Sequence, residues 1–190
     1  MKSKLLIMGC IAAVAVVAAM LSVTSQPNLR PAAAPTATSG GSYPAYNVSI
    51  GSANDVQGRA APPFEVEEWV SEPVTYEGRP RVVEFWATWC APCRRTIPHL
   101  NELHAALGDR IAFIGVSAET TTKIQGFMRG TPMHYGIARD SKKRMQHAVG
   151  CRGIPHALVI DSSNIVRWQG NPSKLTAEIL EQVLAAEAGG

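Results

Sequence analysis

The sequence predicts an α/β domain, because short apolar runs alternate along the chain with stretches of helical periodicity. Residues 81–87 form a compact run rich in β-branched and aromatic side chains, and residues 110–119 form a second continuous apolar run, as expected of buried strands. Between them, apolar residues recur at helical spacing from 97 to 107, and Gly108 ends the pattern. A chain of 190 residues accommodates one such domain with appendages.

Further elements follow from the same patterns of periodicity and chain breakers. The expected elements are a first strand in 62–70, a helix over Thr121–Met128, a short strand or loop in 133–140, a helix in 141–150 ended by glycine, a hairpin of 155–161 with 165–170, and a last helix over 175–187.

The N-terminal segment has the layout of a secretory signal or a membrane anchor. Lys2 and Lys4 precede 17 apolar residues, and no good small-x-small cleavage site follows them. We therefore expect residues 1–23 to be an uncleaved anchor, with a cleaved signal as the alternative. The positive charges before the apolar run predict a cytoplasmic N-terminus and a domain that faces the periplasm or the outside.

Residues 24–58 are rich in Pro, Ala, Ser, Thr and Gly and carry almost no charge. This composition predicts a flexible linker, so the folded domain is expected over 59–190. Lys and Arg number 18 against 15 Asp and Glu, and without Lys2 and Lys4 the balance is nearly even. We therefore expect no nucleic-acid partner and no polybasic membrane face; the membrane contact is expected through the N-terminal segment alone.

Cys90 and Cys93 flank Ala91 and Pro92, between a predicted buried strand and the start of a predicted helix. A structural zinc site needs four ligands, and the sequence offers no second pair at finger spacing. A structural disulfide across so short a loop would remove little chain entropy. A copper-binding or copper-delivery module, with both thiolates as ligands, remains an alternative. We otherwise expect no metal and no cofactor.

A redox function explains more of the surrounding residues. At the N-terminus of a helix, Cys90 would face free backbone N–H groups and the positive end of the helix dipole, which favour the thiolate. Arg94 and Arg95 add positive charge within one turn. Cys93, one turn further into the helix, would be shielded from large substrates and able to attack a mixed disulfide on Cys90. We therefore expect Cys90 to attack and Cys93 to resolve.

The segment FWATWCAPC resembles the active-site signature of thioredoxins, and residues 62–186 are similar to their membrane-tethered, extracytoplasmic TlpA-like and ResA-like branch. Pro98 stands where these proteins kink the active-site helix. GIPHALVID resembles their segment with a cis-proline, here Pro155, and IVRWQGNP their final hairpin. The resemblance implies a thioredoxin-like fold, with a central mixed β-sheet flanked by helices, and a thiol–disulfide oxidoreductase.

The resemblance also assigns substrate-binding residues. It implies that Pro155 packs beside the disulfide and that Ile154 offers backbone hydrogen bonds to an extended substrate. Trp89, directly before Cys90, is expected on the surface in contact with partners. His156 is a lesser candidate for the same contact.

Glu84, six residues before Cys90, takes the position where thioredoxins carry a buried acid. A desolvated carboxylate with a raised pKa could accept the proton of Cys93 as that thiol becomes a nucleophile. The alternative is an acid at a solvent edge or paired with Arg81. Cys151 is expected to be a small core residue.

Two positions bear on proton handling and direction. Thr96 stands where many relatives carry glutamate, so proton transfer would depend on Glu84. Pro92, before the second cysteine, resembles the reducing members of the family. We therefore predict a reductase of protein disulfides in an oxidising compartment, supplied by a membrane electron donor. A thiol oxidase on the same fold is the alternative.

Overall fold

The computed structural model describes residues 42–45, 50 and 52–189; the expected anchor and most of the expected linker lie outside them. Within these residues, no helix combines the length and apolarity that a membrane crossing needs. In chain order the elements are β1 (Glu68–Trp69), β2 (Arg81–Trp86), α1 (Ala91–Leu107), β3 (Ala112–Ser117), α2 (Thr121–Met128), β4 (Gly136–Arg139), α3 (Arg144–Ala148), β5 (His156–Ile160), β6 (Val166–Gly170), a 3-10 turn (Pro172–Lys174) and α4 (Ala177–Ala188).

The strands form one mixed sheet in the order β1-β4-β3-β2-β5-β6. β2 lies in its interior, parallel to β3 and antiparallel to β5, and all six of its residues are buried. This environment explains its run of apolar residues, because a strand with neighbours on both edges and packed faces reads as continuously apolar. The predicted α/β class with a central mixed sheet is confirmed.

The two faces of the sheet support separate apolar cores, because alternate residues of a strand point to opposite sides. On β2, Val82 and Trp86 belong to the core that includes side chains of α1, α2 and α4. Val83 and Phe85 belong to the core that includes Met145 of α3. These faces are called the α1 face and the α3 face below.

The chain before β1 also covers the α3 face. The backbone N–H of Arg152 donates to the carbonyl of Ser52 at 2.7 Å, and the N–H of Val56 donates to Oε1 of Gln169 at 2.7 Å. Val56 also packs on the α3-face core. The folded contacts therefore include part of the segment that the sequence assigned to the linker.

Several elements are shorter than expected: α3 spans Arg144–Ala148 within the predicted 141–150, and the first strand and the last helix are also shorter. The first strand pairs with β4 at Glu68 and Trp69 alone. Pro62 and Pro63 at its expected start have no backbone N–H to donate to a ladder. The last helix begins at Ala177 rather than 175, because the Thr176 side chain caps it by accepting the Ile179 N–H.

Candidate active site

The site lies where β2 ends and α1 begins. Cys90 and Cys93 form a disulfide. Cys90 is the N-cap residue of α1, and its Sγ accepts a hydrogen bond from the Cys93 N–H at 3.2 Å. Pro92 suits this first turn because its position needs no N–H. The same N–H group and the positive end of the helix dipole would stabilise a thiolate on Cys90 after reduction.

The two cysteines differ in their access to partners. Cys90 lines an open cleft of about 770 Å³, together with Trp89, whose side chain is 68% exposed. Cys93 is 1% exposed and packs in the α1-face core. Cys90 is only 3% exposed, but it lines the open cleft. A substrate sulfur in the cleft would therefore approach Cys90 rather than Cys93.

The loop before β5 forms another wall of this cleft. The Ile154–Pro155 peptide bond is cis, and the Ile154 carbonyl oxygen lies 3.7 Å from Sγ of Cys90. Ile154 lines the cleft and Pro155 is buried. The fold thus brings Cys90, Trp89 and the cis-proline loop together, although the loop and the cysteine are 64 residues apart in sequence.

Glu84 is fully buried in the centre of β2. The Tyr135 hydroxyl donates a hydrogen bond to its Oε1 at 2.6 Å, whereas its buried Oε2 has no hydrogen-bond partner among the described residues. Burial raises the pKa of Glu84 from 4.5 to about 7, against the lowering effect of the Tyr135 hydrogen bond. Arg81 instead donates to Asn164, so Glu84 is neither exposed nor paired with that arginine.

Glycine at position 115 leaves room for the Tyr135 ring that bonds to Glu84. Gly115 of β3 stands opposite Glu84 in the register of the two strands. A Cβ atom there would lie 3.0 Å from Nε1 of Trp86 and 3.2 Å from the Tyr135 ring. Sequence analysis missed both Tyr135 and Gly115, because no local motif marks them.

A second carboxylate holds the loop that precedes Cys90. Glu119, just after β3, accepts hydrogen bonds from the Thr88 N–H at 2.5 Å and the Thr88 hydroxyl at 2.9 Å, and it pairs with Lys123. Burial acts to raise the pKa of Glu119, but the bonds from Lys123 and Thr88 outweigh it and leave that pKa below its ordinary value. Sequence analysis missed this residue as well.

Thr96 occupies the position at which the resemblance suggested glutamate. It is buried, and its hydroxyl donates to the Cys93 carbonyl at 2.8 Å within α1. The hydroxyl is therefore satisfied inside its own helix, and this position provides no carboxylate beside the disulfide.

The α3 face buries a further thiol and a histidine. Cys151 is 5% exposed and donates to the Gly153 carbonyl at 3.1 Å, and burial raises the pKa of its thiol. His156 is fully buried and stacks on Phe85, and its Nδ1 lies 3.4 Å from Oγ of Ser52. Burial lowers the pKa of His156 from 6.5 to about 4. His156 is thus a neutral core residue and lies outside the lining of the cleft.

A mixed α/β sheet that carries a CxxC disulfide at the N-terminus of the helix after its central strand defines a thiol–disulfide oxidoreductase. The chain belongs to the AhpC/TSA family, whose model matches residues 57–169. Both the thioredoxin-like fold and the oxidoreductase class that the sequence predicted are confirmed.

Curated relatives belong to the same class. The chain is 26% identical over 132 residues to the thiol-disulfide oxidoreductase ResA of Bacillus thuringiensis subsp. konkukian, covering 67% of this chain and 76% of that protein. It is 30% identical over 136 residues to the thiol:disulfide interchange protein HelX of Rhodobacter capsulatus, covering 70% and 68%. These matches confirm the resemblance to ResA-like proteins.

Solved structures show the same fold. A proposed thiol:disulfide interchange protein DsbE of Chlorobium tepidum superposes with a TM-score of 0.56 at 26% identity, over 70% of this chain and 98% of that one. A thiol-disulfide isomerase of Corynebacterium glutamicum superposes with a TM-score of 0.55 at 20% identity, over 68% and 97%. At 20% identity, the match to the Corynebacterium glutamicum protein shows a shared fold only.

Proposed function

We propose that the protein reduces disulfide bonds of protein clients through the Cys90–Cys93 pair. The observation that carries this proposal is the disulfide itself, with Cys90 at the N-cap of α1 and in the lining of an open cleft. Such a position lowers the pKa of a reduced thiol and lets a client sulfur reach it. The proline before Cys93 supports the reducing direction by its resemblance to reducing members of the family.

The reaction follows thiol–disulfide exchange. The Cys90 thiolate attacks one sulfur of the client disulfide, so a Cys90–client disulfide forms and the other client sulfur leaves as a thiolate. Cys93 then attacks Sγ of Cys90, which forms the Cys90–Cys93 disulfide and releases the second client thiolate. Two electrons pass from the protein to the client, and the oxidised protein needs a donor to restore the dithiol.

In this scheme Glu84 is the positioned base for the second step. Cys93 must lose its proton in order to attack, and it packs in the α1-face core rather than against water. Glu84 points to the same face, since it lies two residues from both Val82 and Trp86 along β2. Its pKa of about 7 lets it exchange protons at neutral pH. Its unpartnered Oε2 is the oxygen that would take the proton.

Client binding is assigned to the residues around Cys90. Trp89 offers an exposed aromatic surface, and Ile154, preceding the cis-Pro155 bond, borders the cleft 3.7 Å from the reactive sulfur. An extended client segment could add its backbone hydrogen bonds to this loop, as strands do at exposed edges.

The cellular setting extends the proposal. Residues 1–23 would anchor the chain in the cytoplasmic membrane, 24–58 would link it, and the domain over 59–190 would face the periplasm or the outside. A soluble exported form would result if the segment is cleaved. Because such compartments are oxidising, a membrane-bound electron donor would return the pair to the dithiol state.

Trapping tests the proposal. Full-length Cys93→Ser is treated with a protein disulfide substrate and analysed on non-reducing gels and by mass spectrometry. The proposal predicts a mixed disulfide on Cys90, and Cys90→Ser, the matched control, should trap none. Tight stoichiometric Cu(I) binding by the reduced protein, without any disulfide turnover, would instead support the copper module.

A further inference from the structure

The lining of the cleft beside Cys90 combines apolar and charged side chains. Its apolar lining includes Trp89, Pro92 and Ile154. Its charged lining residues are Glu119, Lys143 and Arg152. The cleft would therefore select among client segments by charge as well as by apolar contact. Which of these three charges are already paired inside the protein decides whether the cleft favours acidic or basic segments.

The negative charge of Glu119 is already compensated inside the protein. Its carboxylate accepts two hydrogen bonds from Thr88 and pairs with Lys123. Its side chain is 11% exposed, so it presents little charge to a client.

The two cations are available to a partner. Lys143 and Arg152 are both exposed, and neither forms an ion pair with a carboxylate of any described residue. The cleft therefore has a net positive lining next to a cysteine that is proposed to attack disulfides.

Hydrogen bonds fix the backbone at both cationic residues. Lys143 has φ 54° and ψ 37°, in the left-handed region that is uncommon for residues with a side chain. Its N–H donates to the Asp140 carbonyl at 3.0 Å, and its carbonyl accepts the His147 N–H at 2.8 Å. The Arg152 N–H is likewise fixed on the Ser52 carbonyl at 2.7 Å. When a client binds, it therefore has to order only the side-chain torsions of these two residues.

We propose that the cleft recognises an extended client segment that carries an acidic residue within a few positions of its reactive cysteine. Trp89 and Ile154 would contact apolar groups near the client sulfur, and Lys143 and Arg152 would pair with the acidic side chain. This inference rests on the proposed function and specifies its client class. Charge complementarity of this kind acts mainly on the rate of productive encounter.

Matched peptides test the inference. Each is a synthetic peptide with one central cysteine held as a disulfide with 2-mercaptoethanol, flanked by Asp, Asn or Lys at otherwise identical positions. Reduced full-length protein attacks the peptide sulfur, releases 2-mercaptoethanol, and then releases the peptide thiol as Cys90–Cys93 re-forms. The rate constant of release is measured by stopped-flow fluorescence at neutral pH.

The inference predicts that the Asp peptide reacts about fivefold faster than the Asn peptide at low salt, the size expected for two exposed ion pairs. At about 1 M salt, where the Debye length is about 3 Å, the preference should nearly vanish. Lys143→Gln combined with Arg152→Gln should abolish the preference at low salt as well. Lys142→Gln, at an exposed neighbour outside the cleft lining, should keep it.

Equal rates for the Asp and Lys peptides at low salt would overturn the inference, as would an equal loss of preference in Lys142→Gln. The Asn peptide separates this failure from failure of the proposed function. If the Asn peptide is reduced at the same rate as the Asp and Lys peptides, the oxidoreductase proposal holds and the client class is wrong. If none of the peptides is reduced, the proposed function fails, and the client class fails with it.

Discussion

The two faces of the sheet bury similar chemical groups in different arrangements. Each face holds a cysteine, an ionisable side chain and a hydroxyl close to it: Cys93, Glu84 and Tyr135 on the α1 face, and Cys151, His156 and Ser52 on the α3 face. On the α1 face the thiol has a disulfide partner at a helix N-terminus that opens to a cleft. On the α3 face the Cys151 thiol donates a hydrogen bond to the Gly153 carbonyl.

Burial also shifts the pKa values of Glu84 and His156 in opposite directions. It brings the pKa of Glu84 to about 7, where the group can exchange protons, and the pKa of His156 to about 4, where the imidazole stays neutral near pH 7. A buried thiol and a buried ionisable group therefore do not by themselves make a redox site. Access, helix placement and a pKa near the working pH are needed together.

The largest expected contrast is between the two buried thiols. Cys93→Ala should lower the turnover of a disulfide substrate by about 1,000-fold or more, because the mixed disulfide on Cys90 would have no resolving thiol. Cys151→Ala, the matched buried thiol, should change it by less than about twofold, since no step uses that sulfur. Steady-state turnover of the purified variants measures both, and comparable losses would show that Cys151 also takes part in turnover.

The two ionisable groups should give stability slopes of opposite sign. The pKa of Glu84 is raised on folding, so its contribution is present below about pH 4.5 and lost as pH rises through about 7. The pKa of His156 is lowered, so its contribution is present above about pH 6.5 and lost as pH falls through about 4. Each shift corresponds to about 3 kcal/mol in the free energy of unfolding.

Denaturant titration between pH 4 and 8 checks these slopes on the oxidised protein. Glu84→Gln should remove the loss of stability toward pH 8, and His156→Gln should remove the loss toward pH 4. If Glu84→Gln kept the alkaline slope of the wild type, the buried carboxyl of Glu84 would not be the source of that slope.

Glu84→Gln should also slow the resolution of the mixed disulfide by about 100-fold at neutral pH, at the lower end of what a positioned base contributes. In this variant the inflection near pH 7 should disappear from the pH profile of the resolution rate, because glutamine does not titrate. Single-turnover release of the client thiol measures this step. His156→Gln should keep the inflection, and losing it there would mean that the α3 face takes part in the reaction.

The smallest contrast concerns the two hydroxyl partners. Tyr135→Phe removes the hydrogen bond that lowers the pKa of Glu84, so the inflection should move to higher pH with a loss of about 1 to 2 kcal/mol in stability. Ser52→Ala should cost less than about 0.5 kcal/mol, because its contact with His156 is long at 3.4 Å. An unchanged inflection in Tyr135→Phe would mean that the Tyr135 hydroxyl does not set the pKa of Glu84.

Sequence reasoning located the parts of the site whose signals are local. The apolar period of residues 97–107, with Gly108 after it, predicted the helix that the structure places at Ala91–Leu107. The cysteine pair and the cis-proline segment are contiguous motifs in the chain. Such features need no knowledge of how distant strands align.

The rest depends on strand register, which a single sequence does not reveal. Tyr135 meets Glu84 across 51 residues, because Glu84 aligns with Gly115 and Gly115 aligns with Ile137 in neighbouring strands. The contact between Glu119 and the loop before Cys90 arises in the same way. The segment at 52–58 reads as a linker by composition, yet its backbone hydrogen bonds to the domain depend on tertiary partners.

The reduction potential of the Cys90–Cys93 pair distinguishes a reductase from a thiol oxidase. The full-length protein in detergent would be equilibrated with thiol buffers of defined potential, alkylated, and its dithiol fraction counted by mass spectrometry, with Cys10→Ala and Cys151→Ala to remove the two other thiols. A value near that of thioredoxin, about −270 mV, is predicted for a reductase. A value near −120 mV, the range of a strong thiol oxidant, would contradict the proposed direction of electron flow.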